Sequence, residues 1–221
     1  SGTMGAAFVY DSRNRQVSRT INGATTYFIW DGWDLIEERD GTGAVLQKYV
    51  HGSGTDEILA KISGTSAVYY HHDGLGSVIA LTREDGSLAE SYLYDVFGLA
   101  SVFDASGASI STSGWANRFL FTGREWIDEV DLYDYRNRIY SGDTGRFLQT
   151  DPIRFVGADV NLYRYVSNNP VNWIDPDGLQ GVPSPSSVTS NPTIAAEAAA
   201  AMEGITVEQY LARQALEKAT Q

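Results

Sequence analysis

A short aromatic pattern that recurs about every 21 residues constrains this chain more than any other feature. Four copies place an aromatic residue three positions before an aspartate and a ring, aromatic or histidine, one position before it: Phe8-Val9-Tyr10-Asp11, Phe28-Ile29-Trp30-Asp31, Tyr70-His71-His72-Asp73 and Tyr92-Leu93-Tyr94-Asp95. A fifth copy, Tyr49-Val50-His51-Gly52, ends in glycine. Rings two positions apart lie on one face of an extended strand, and an aspartate after a strand can bond its own backbone to start a turn. Each unit therefore predicts strand, turn and strand.

The sequence between the aromatic units supports an antiparallel hairpin array. Turn sequences begin at Asp40, Asp73, Asp85 and Asp104, and they flank alternating segments such as residues 77–82. The predicted fold class is therefore mainly β. Adjacent histidines such as His71 and His72 point to opposite faces of a strand, so they cannot bind one metal ion together.

Composition excludes several classes of function. With 43% hydrophobic and 12% aromatic residues the chain can bury a core, but 28 acidic against 16 basic residues leave a net charge of −12. That charge disfavours a nucleic-acid backbone or an anionic membrane surface as a partner. The absence of cysteine rules out disulfides, zinc–thiolate sites and cysteine nucleophiles, and with only three histidines we expect no metal and no cofactor.

The chain divides into five predicted parts. Residues 1–7 are interpreted as a tag remnant and lead-in, 8–117 as the β strip, 118–179 as a compact core domain, 180–192 as a polar Pro/Ser linker and 193–221 as a helical tail. In the tail, Thr206 and Gln209 form a capping-box pattern. No long apolar run and no basic start followed by an apolar segment occurs, so we expect no membrane span and no signal peptide in this chain.

Two Asp-Pro motifs, each preceded by a Tyr- and Arg-rich block, dominate the second half of the sequence. The first block reads Tyr135-Arg136-Asn137-Arg138-Ile139-Tyr140, then Thr144-Gly145-Arg146-Phe147-Leu148, then Asp151-Pro152. The second reads Asn161-Leu162-Tyr163-Arg164-Tyr165-Val166, then Asn168-Asn169-Pro170-Val171-Asn172, then Asp175-Pro176-Asp177-Gly178-Leu179. With these motifs, residues 8–179 resemble the Rhs/YD-repeat family and its associated core domain. The family includes the C components of insecticidal toxin complexes and the teneurins.

The resemblance implies a fold, an activity and a setting. In full-length members a β strip spirals into a hollow shell around a variable C-terminal toxin, and the core domain closes one end. In many bacterial members the core domain also cuts the chain after its final Asp-Pro-x-Gly-Leu. Here the cleaved bond would be Leu179–Gln180. The segment from Gln180 would be the substrate or cargo. The setting would be a bacterial toxin or effector system, with the protein cytoplasmic before possible export and with secretion-system components as possible partners.

The chemistry of paired carboxylates agrees with this activity. Two carboxylates brought within about 3 Å cannot both ionise, so one serves as an acid while the other activates water. Asp151 and Asp175, one from each motif, are the candidates for this catalytic pair, and Arg138 and Arg146 are the candidates for their positive partner. Which arginine acts is open at this point. Asp175 is only four residues before the predicted cleavage bond, so the peptide is presented to the catalytic pair at a high effective concentration.

One motif departs from the family pattern. The first motif normally reads Asp-Pro-x-Gly, and here it is Asp151-Pro152-Ile153-Arg154. A bulky cation therefore replaces a flexible backbone position, which could perturb the turn or the pKa of a neighbouring carboxyl group. Asp159 and Asp177 are further candidates for a supporting acid.

Two other functions remain open from the sequence. The first is a scaffold or plug without catalysis, in which each Asp-Pro is an ordinary turn and the arginines pair with aspartates or stack on tyrosine rings. The second is carbohydrate binding by rows of exposed rings. Both the protease and the scaffold hypotheses predict a homo-oligomer, because the edge strands of a short strip offer unpaired backbone groups to another copy.

Overall fold

The protein is described here by a computed structural model, which covers residues 5–157 and 159–186. Antiparallel β-strands are the main regular structure of these residues, as predicted. The helical tail predicted for residues 193–221 lies outside the described residues, as does the last part of the predicted linker.

Eleven strands form one sheet in which each strand pairs antiparallel with the next, in the order of the sequence. We call this sheet the β strip. Its strands are β1 (Ala6–Tyr10), β2 (Gln16–Ile21), β3 (Ala24–Asp31), β4 (Asp34–Asp40), β5 (Val45–His51), β6 (Ile58–Ser63), β7 (Ser66–His72), β8 (Val78–Arg83), β9 (Leu88–Tyr94), β10 (Ala100–Asp104) and β11 (Ser109–Ile110).

The aromatic units carry a β-bulge at a constant place. The pairing register shifts between the second and third residues of four of the five units: Val9/Tyr10, Ile29/Trp30, Val50/His51 and His71/His72. A bulge bends a strand and increases its right-handed twist. The repeat thus specifies the curvature of the strip as well as its strands.

Aspartates cap the turns of the strip, including those after the repeat units that end in Asp73 and Asp95. In four Asp-x-x-Gly-x turns, Oδ1 of the aspartate accepts hydrogen bonds from the backbone amides two and four residues later; the aspartates are Asp40, Asp73, Asp95 and Asp104. The glycine three positions on donates its amide to the aspartate carbonyl and has a φ of 83° to 89°. This conformation favours glycine, because it costs other residues about 1–2 kcal/mol. We call this arrangement the repeat turn.

One face of the strip is buried by residues that follow it in the chain. The inner face carries Phe28, Leu35, Tyr49, Ile58, Val68, Tyr70, Val78, Leu81, Tyr92 and Val102, all of them buried. The alternate positions, such as Tyr69 and Ile79, are exposed on the outer face. The two-residue alternation of a strand explains this division.

We call residues 118–179 the core segment; together with residues 182 and 183 they add two small sheets to this inner face. The first contains β12 (Glu125–Ile127), β13 (Leu132–Asp134), β14 (Ile139–Ser141) and β15 (Arg146–Phe147), and the second contains β16 (Trp173–Ile174) and β17 (Val182–Pro183). Short 3₁₀ turns occur at Phe121–Gly123, Arg154–Gly157 and Val166–Asn168.

A cluster of buried rings forms the centre of the core segment. Tyr135, Tyr140, Phe147 and Tyr165 contact one another with centroid separations of 4.6 to 5.8 Å. Each such pair contributes about 0.5–1.5 kcal/mol beyond the burial of its area. The cluster is joined to the strip because the Tyr140 hydroxyl donates to the Phe97 carbonyl at 2.7 Å. The elements that carry both Asp-Pro motifs are thus built around one rigid aromatic centre.

Buried charges also tie the core segment to the strip. Arg118 lies 4.3 Å above the Phe28 ring and pairs with Glu38 of β4 at 3.0 Å and with Glu125 of β12. Lys61 of β6 donates to the Trp115 carbonyl, and burial lowers the pKa of Lys61 to about 8. Removing one partner of a buried ion pair costs about 3–5 kcal/mol. The ion pairs of Arg118 therefore strongly couple the core segment to the strip.

The first residues of the predicted linker are part of the folded body. Val182 and Pro183 pair with Ile174 and Trp173, and the Ser184 amide donates to the Asn172 carbonyl at 2.7 Å. Residues 180–186 therefore do not form a free linker in the structure. The linker is predicted from its overall Pro/Ser composition, which does not indicate that Val182 and Pro183 pair with another strand. Within the described ranges, no helix is both long enough and apolar enough to cross a membrane.

Candidate functional site

Asp151 and Asp175, 24 residues apart in the chain, contact the same guanidinium group. Arg138 Nη1 lies 3.0 Å from Asp151 Oδ2, and Arg138 Nη2 lies 3.2 Å from Asp175 Oδ2. The exposed fractions are 4% for Arg138, 9% for Asp151 and 2% for Asp175. The two carboxyl groups proposed from sequence as a pair therefore share one guanidinium group and lie largely out of water.

The second Asp-Pro turn, residues 175–179, places Asp175 against the predicted cleavage bond. Asp175 Oδ1 accepts hydrogen bonds from the Leu179 amide at 3.0 Å and from the Gln180 amide at 3.1 Å. The Gln180 nitrogen is the nitrogen of the Leu179–Gln180 peptide bond. One carboxyl group thus contacts both Arg138 and the amide that cleavage would release.

The second Asp-Pro turn has the backbone design of the repeat turn. Gly178, with a φ of 63°, donates its amide to the Asp175 carbonyl at 3.3 Å, and the Leu179 amide four positions on donates to the side chain. A Cβ at Gly178 would collide with the Tyr135 carbonyl oxygen. The Asp-Pro-x-Gly-Leu motif therefore needs its glycine for both conformation and space.

Burial distinguishes this turn chemically from the repeat turns. Asp40 and Asp104 are only partly buried, and hydrogen bonds from Thr42 and Ser106 lower the pKa of their carboxyl groups. Burial instead raises the pKa of Asp175, although the Leu179 amide and Arg138 act in the opposite direction. A carboxyl group with a raised pKa holds its proton to a higher pH than an ordinary carboxyl group and can act as an acid there.

Arg138 is fixed from several sides. Its Nε donates to the Gly178 carbonyl at 2.5 Å, and its guanidinium carbon lies 3.6 Å from the centroid of the Phe147 ring. Burial lowers the pKa of Arg138, while Asp151 and Asp175 act to raise it. An arginine keeps its charge in such a setting because its usual pKa is so high, so it supplies a fixed positive charge between the two carboxyl groups.

The first Asp-Pro turn, residues 151–154, holds Asp151 by its backbone. Asp151 Oδ1 accepts the Ile153 amide at 2.9 Å, and the Asp151 amide donates to the Leu162 carbonyl at 2.9 Å. Arg154 occupies the glycine position: its amide donates to the Asp151 carbonyl at 3.0 Å and its φ is 51°. The turn keeps its form with arginine in a conformation that favours glycine, and the Arg154 side chain is exposed.

Arg146 does not occupy the position that the sequence left open for it. It lies on β15 beside Phe147, whose side chain is completely buried, and strand alternation directs Arg146 to the exposed side. In the described part of the chain, both ion pairs of Asp151 and Asp175 are made by Arg138. The choice between the two arginines therefore falls to Arg138.

The two additional acidic candidates pair with arginines other than Arg138. Asp159 pairs with Arg164 at 2.6 Å, and Asp177 is exposed and pairs with Arg136 at 3.0 Å. Within the described residues, no group of three or more His, Asp or Glu residues is arranged to hold a metal ion.

Some contributors to the site were missing from the sequence analysis. The carbonyl groups of Leu162 and Gly178 and the Phe147 ring all hold Arg138 or Asp151 in place. A backbone carbonyl carries no sequence signal. Phe147 could have been found, because alternation in the Arg146-Phe147 strand directs one of the two side chains inward.

The chain is similar to known proteins in sequence and in structure. No protein-family model matches the chain. The tRNA3(Ser)-specific nuclease WapA of Bacillus spizizenii is 30% identical over 178 residues, which is 78% of this chain and 7% of WapA. Toxin subunit YenC2 of Yersinia entomophaga is 37% identical over 95 residues, covering 43% of this chain and 9% of YenC2. The crystal structure of TcdB2-TccC3-TEV has a TM-score of 0.60 at 20% identity, over 81% of this chain and 9% of that one.

The chain belongs to the Rhs/YD-repeat family. The sequence matches to toxin proteins and the shared fold both support this assignment, which agrees with the resemblance found in the repeats and the Asp-Pro motifs. The chain spans less than a tenth of the length of these relatives. The Rhs/YD-repeat features of the chain are the β strip with its repeat turns and the core segment with Arg138 at its centre.

Proposed function

We propose that this chain is an Rhs-type core module that cleaves its own Leu179–Gln180 bond by an aspartyl mechanism. One observation carries the proposal: Asp175 contacts the Gln180 amide while sharing Arg138 with Asp151. An acid, a second carboxylate and the reacting peptide bond are thus joined by one set of direct contacts. Arg118 also holds two buried carboxyl groups, Glu38 and Glu125, so what distinguishes the Arg138 cluster is the contact of Asp175 with the Gln180 amide.

The proposed reaction adds one water molecule to the peptide. The Asp151 carboxylate takes a proton from water, and the water oxygen attacks the carbonyl carbon of Leu179. Collapse of the tetrahedral intermediate breaks the bond to the Gln180 nitrogen, which receives a proton. The products are a chain that ends in the carboxylate of Leu179 and a segment that begins with the amino group of Gln180.

Asp175 is the proposed source of the proton for the leaving nitrogen. In the planar peptide the nitrogen lone pair is delocalised and the N–H group donates to Asp175 Oδ1. Once water has added to the carbonyl carbon, that nitrogen becomes basic and can accept a proton across the same short distance. The raised pKa of Asp175 favours the protonated form that this step requires.

Access for water is supported by the shape of the site. Arg138, Asp151, Asp175, Leu179 and Gln180 line a common surface cleft. The reacting bond therefore lies beside solvent while the carboxyl groups remain largely buried.

Intact mass measurement of the purified full chain tests this function. We expect two products that divide between residues 179 and 180 in the unmodified protein, and a single uncut chain in Asp151→Asn and Asp175→Asn. Asp95→Asn is a matched control, because Asp95 caps a repeat turn of the same design. A full-length mass for the unmodified protein over the whole accessible pH range would overturn the proposal.

The proposed biological role is that of a part of a larger toxin-encapsulating or effector-delivery protein. The relatives named as toxin subunits and as nucleases support this role, and cleavage would release the C-terminal segment as cargo. We propose a bacterial origin and export by a secretion system on the same grounds.

A non-catalytic scaffold is the second candidate, and it is favoured by the edges of the strip. β1 pairs with β2 on one side, and its other side meets no strand among the described residues. Phe8, Val9 and Tyr10 on this strand are exposed. Pairing of this edge with another strip would give an oligomer, which light scattering would detect.

A further inference from the structure

A loop of the β strip is joined to the second Asp-Pro turn by one arginine. The loop comprises residues 52–57, between β5 and β6. Its Asp56 pairs through Oδ1 with Arg136 Nη2 at 2.6 Å. Arg136 Nη1 in turn donates to the Pro176 carbonyl at 2.5 Å and to Asp177 Oδ1 at 3.0 Å. A continuous chain of polar contacts therefore runs from the strip to the turn that carries the cleavage bond.

Asp56 is itself held on both oxygens. Its Oδ2 pairs with Arg124 Nη1 at 3.0 Å, and Arg124 also donates from Nη2 to the Asp134 carbonyl at 2.7 Å. A Cβ at Gly123 would lie 2.6 Å from the Asp56 carbonyl oxygen, so the loop and the core segment approach each other as closely as glycine allows. These contacts hold the Asp56 carboxylate in place independently of its contact with Arg136.

Arg136 is also restrained. Its side chain is 9% exposed and its guanidinium carbon lies 5.0 Å from the centroid of the Trp33 ring, which belongs to the β3–β4 turn of the strip. The β3–β4 and β5–β6 hairpins of the strip thus position one guanidinium group. On its other side that group contacts the Pro176 carbonyl and the Asp177 carboxylate of the second Asp-Pro turn.

We propose that Asp56 is a positioning residue, which holds the second Asp-Pro turn in register through Arg136 and so makes cleavage depend on docking of the β strip. This inference rests on the proposed self-cleavage. Displacement of a reacting group by about 1 Å can reduce a rate about 100-fold. A core segment without its strip would retain Asp151, Asp175 and Arg138 but would lose the contact that fixes the Pro176 carbonyl. Cleavage would then occur only after the strip has folded.

The first arm of the test measures cleavage in the full chain. We expect Asp56→Ala to slow the first-order cleavage rate about 10- to 100-fold, and Asp56→Glu, which keeps the carboxylate, to recover much of that loss. Glu129→Ala is the matched control, because Glu129 pairs with Arg19 at 3.5 Å and also joins the core segment to the strip, away from the turn. An unchanged rate in Asp56→Ala, or an equal loss in Glu129→Ala, would overturn the proposal.

The second arm measures hydrogen exchange in the cleavage-inactive Asp151→Asn background. Adding Asp56→Ala should accelerate exchange of the Leu179 and Gln180 amides while amides in strands β7–β9 keep their protection. A purely structural role would instead lower protection throughout the sheet, and equal protection of Leu179 and Gln180 would contradict positioning. Asp56→Asn, which preserves the side-chain shape, provides the same comparison if Asp56→Ala does not fold. Because this arm needs no cleavage, it separates failure of this inference from failure of the proposed function.

Discussion

The backbone nitrogen of Gln180 lies 3.1 Å from Oδ1 of Asp175, a residue five positions earlier in the chain. The same aspartate caps its turn through the Leu179 amide, as the repeat aspartates do for their own turns. A structural cap and a proposed proton donor are therefore the same carboxyl group. Asp175 differs from the aspartate of a repeat turn in the burial of its carboxyl group and in its contact with Arg138.

Replacing Arg138 should show that cleavage requires Arg138 and not Arg146, the other arginine suggested by the sequence. Arg138→Lys keeps a positive charge, but a lysine cannot contact Asp151 and Asp175 with two coplanar nitrogens. We expect the cleavage rate to fall by about 100-fold or more, the usual contribution of positioned acid–base groups. The measurement is the time course of full-length and cut chain by intact mass.

Arg146→Lys is the control for that experiment. Arg146 is exposed on β15, so its replacement should leave the rate unchanged. Equal losses in Arg138→Lys and Arg146→Lys would show that the two-carboxylate contact of Arg138 is not required.

Cleavage should be faster at acidic pH than at alkaline pH. Burial raises the pKa of Asp175, and the proposed acid must be protonated, so the rate should fall as the pH rises through that raised pKa. Cleavage rates of the purified chain across the pH range check this. A rate that increases steadily with pH would contradict the role assigned to Asp175.

The same pKa shift predicts a stability effect. A carboxyl group with a higher pKa in the folded than in the unfolded state stabilises the fold at low pH, and the stabilisation is lost as the pH rises through the folded-state pKa. In the inactive Asp151→Asn chain, the free energy of unfolding should therefore decrease with pH above about 4 relative to Asp151→Asn/Asp175→Asn. Denaturant unfolding of both variants gives this difference, and a constant difference would exclude a raised pKa.

Gly178→Ala should damage the site more than an equivalent change in a repeat turn. Both Gly178 and Gly107 have positive φ, so alanine costs about 1–2 kcal/mol at either position. A Cβ at Gly178 would also collide with the Tyr135 carbonyl, whereas a Cβ at Gly107 meets no atom within 4 Å. We expect the larger loss of unfolding free energy and a slower cleavage for Gly178→Ala, with normal cleavage for Gly107→Ala.

Arg154→Gly should stabilise the protein. Arg154 has a φ of 51° in the first Asp-Pro turn, and glycine adopts that conformation without the Cβ penalty. We expect a gain of up to about 1 kcal/mol in the free energy of unfolding, because the entropy that glycine gains in the unfolded chain offsets part of the relief. Arg154→Lys keeps the Cβ and should give no gain. Equal stability of the two variants would mean that the turn carries no strain.

Much of the strip could be predicted because the repeat encodes local geometry. The spacing of rings and aspartates specifies strands and capped turns, and these contacts involve residues within a few positions of each other, such as Asp73 with Leu75 and Ser77. The bulges within the aromatic units were not foreseen. A bulge depends on the register of the neighbouring strand, which the period alone does not define.

The candidate site could be predicted in part. The two Asp-Pro motifs identify Asp151 and Asp175, but the choice between Arg138 and Arg146 required the strand directions around Phe147. Asp56 could not be found from the motifs, since it lies in a strip loop 80 residues before its partner Arg136. Its role follows only from the packing of the strip on the core segment.

The constant position of the bulges has a consequence for proteins longer than this chain. Where successive units carry the bulge at the same place, as four of the five do here, each adds the same twist and the sheet coils as a ribbon of constant pitch. Units can then be added beyond β1 without a change in local geometry. The volume that such a ribbon surrounds can thus change in evolution while the strip loops that contact the Asp175 turn through Arg136 stay the same.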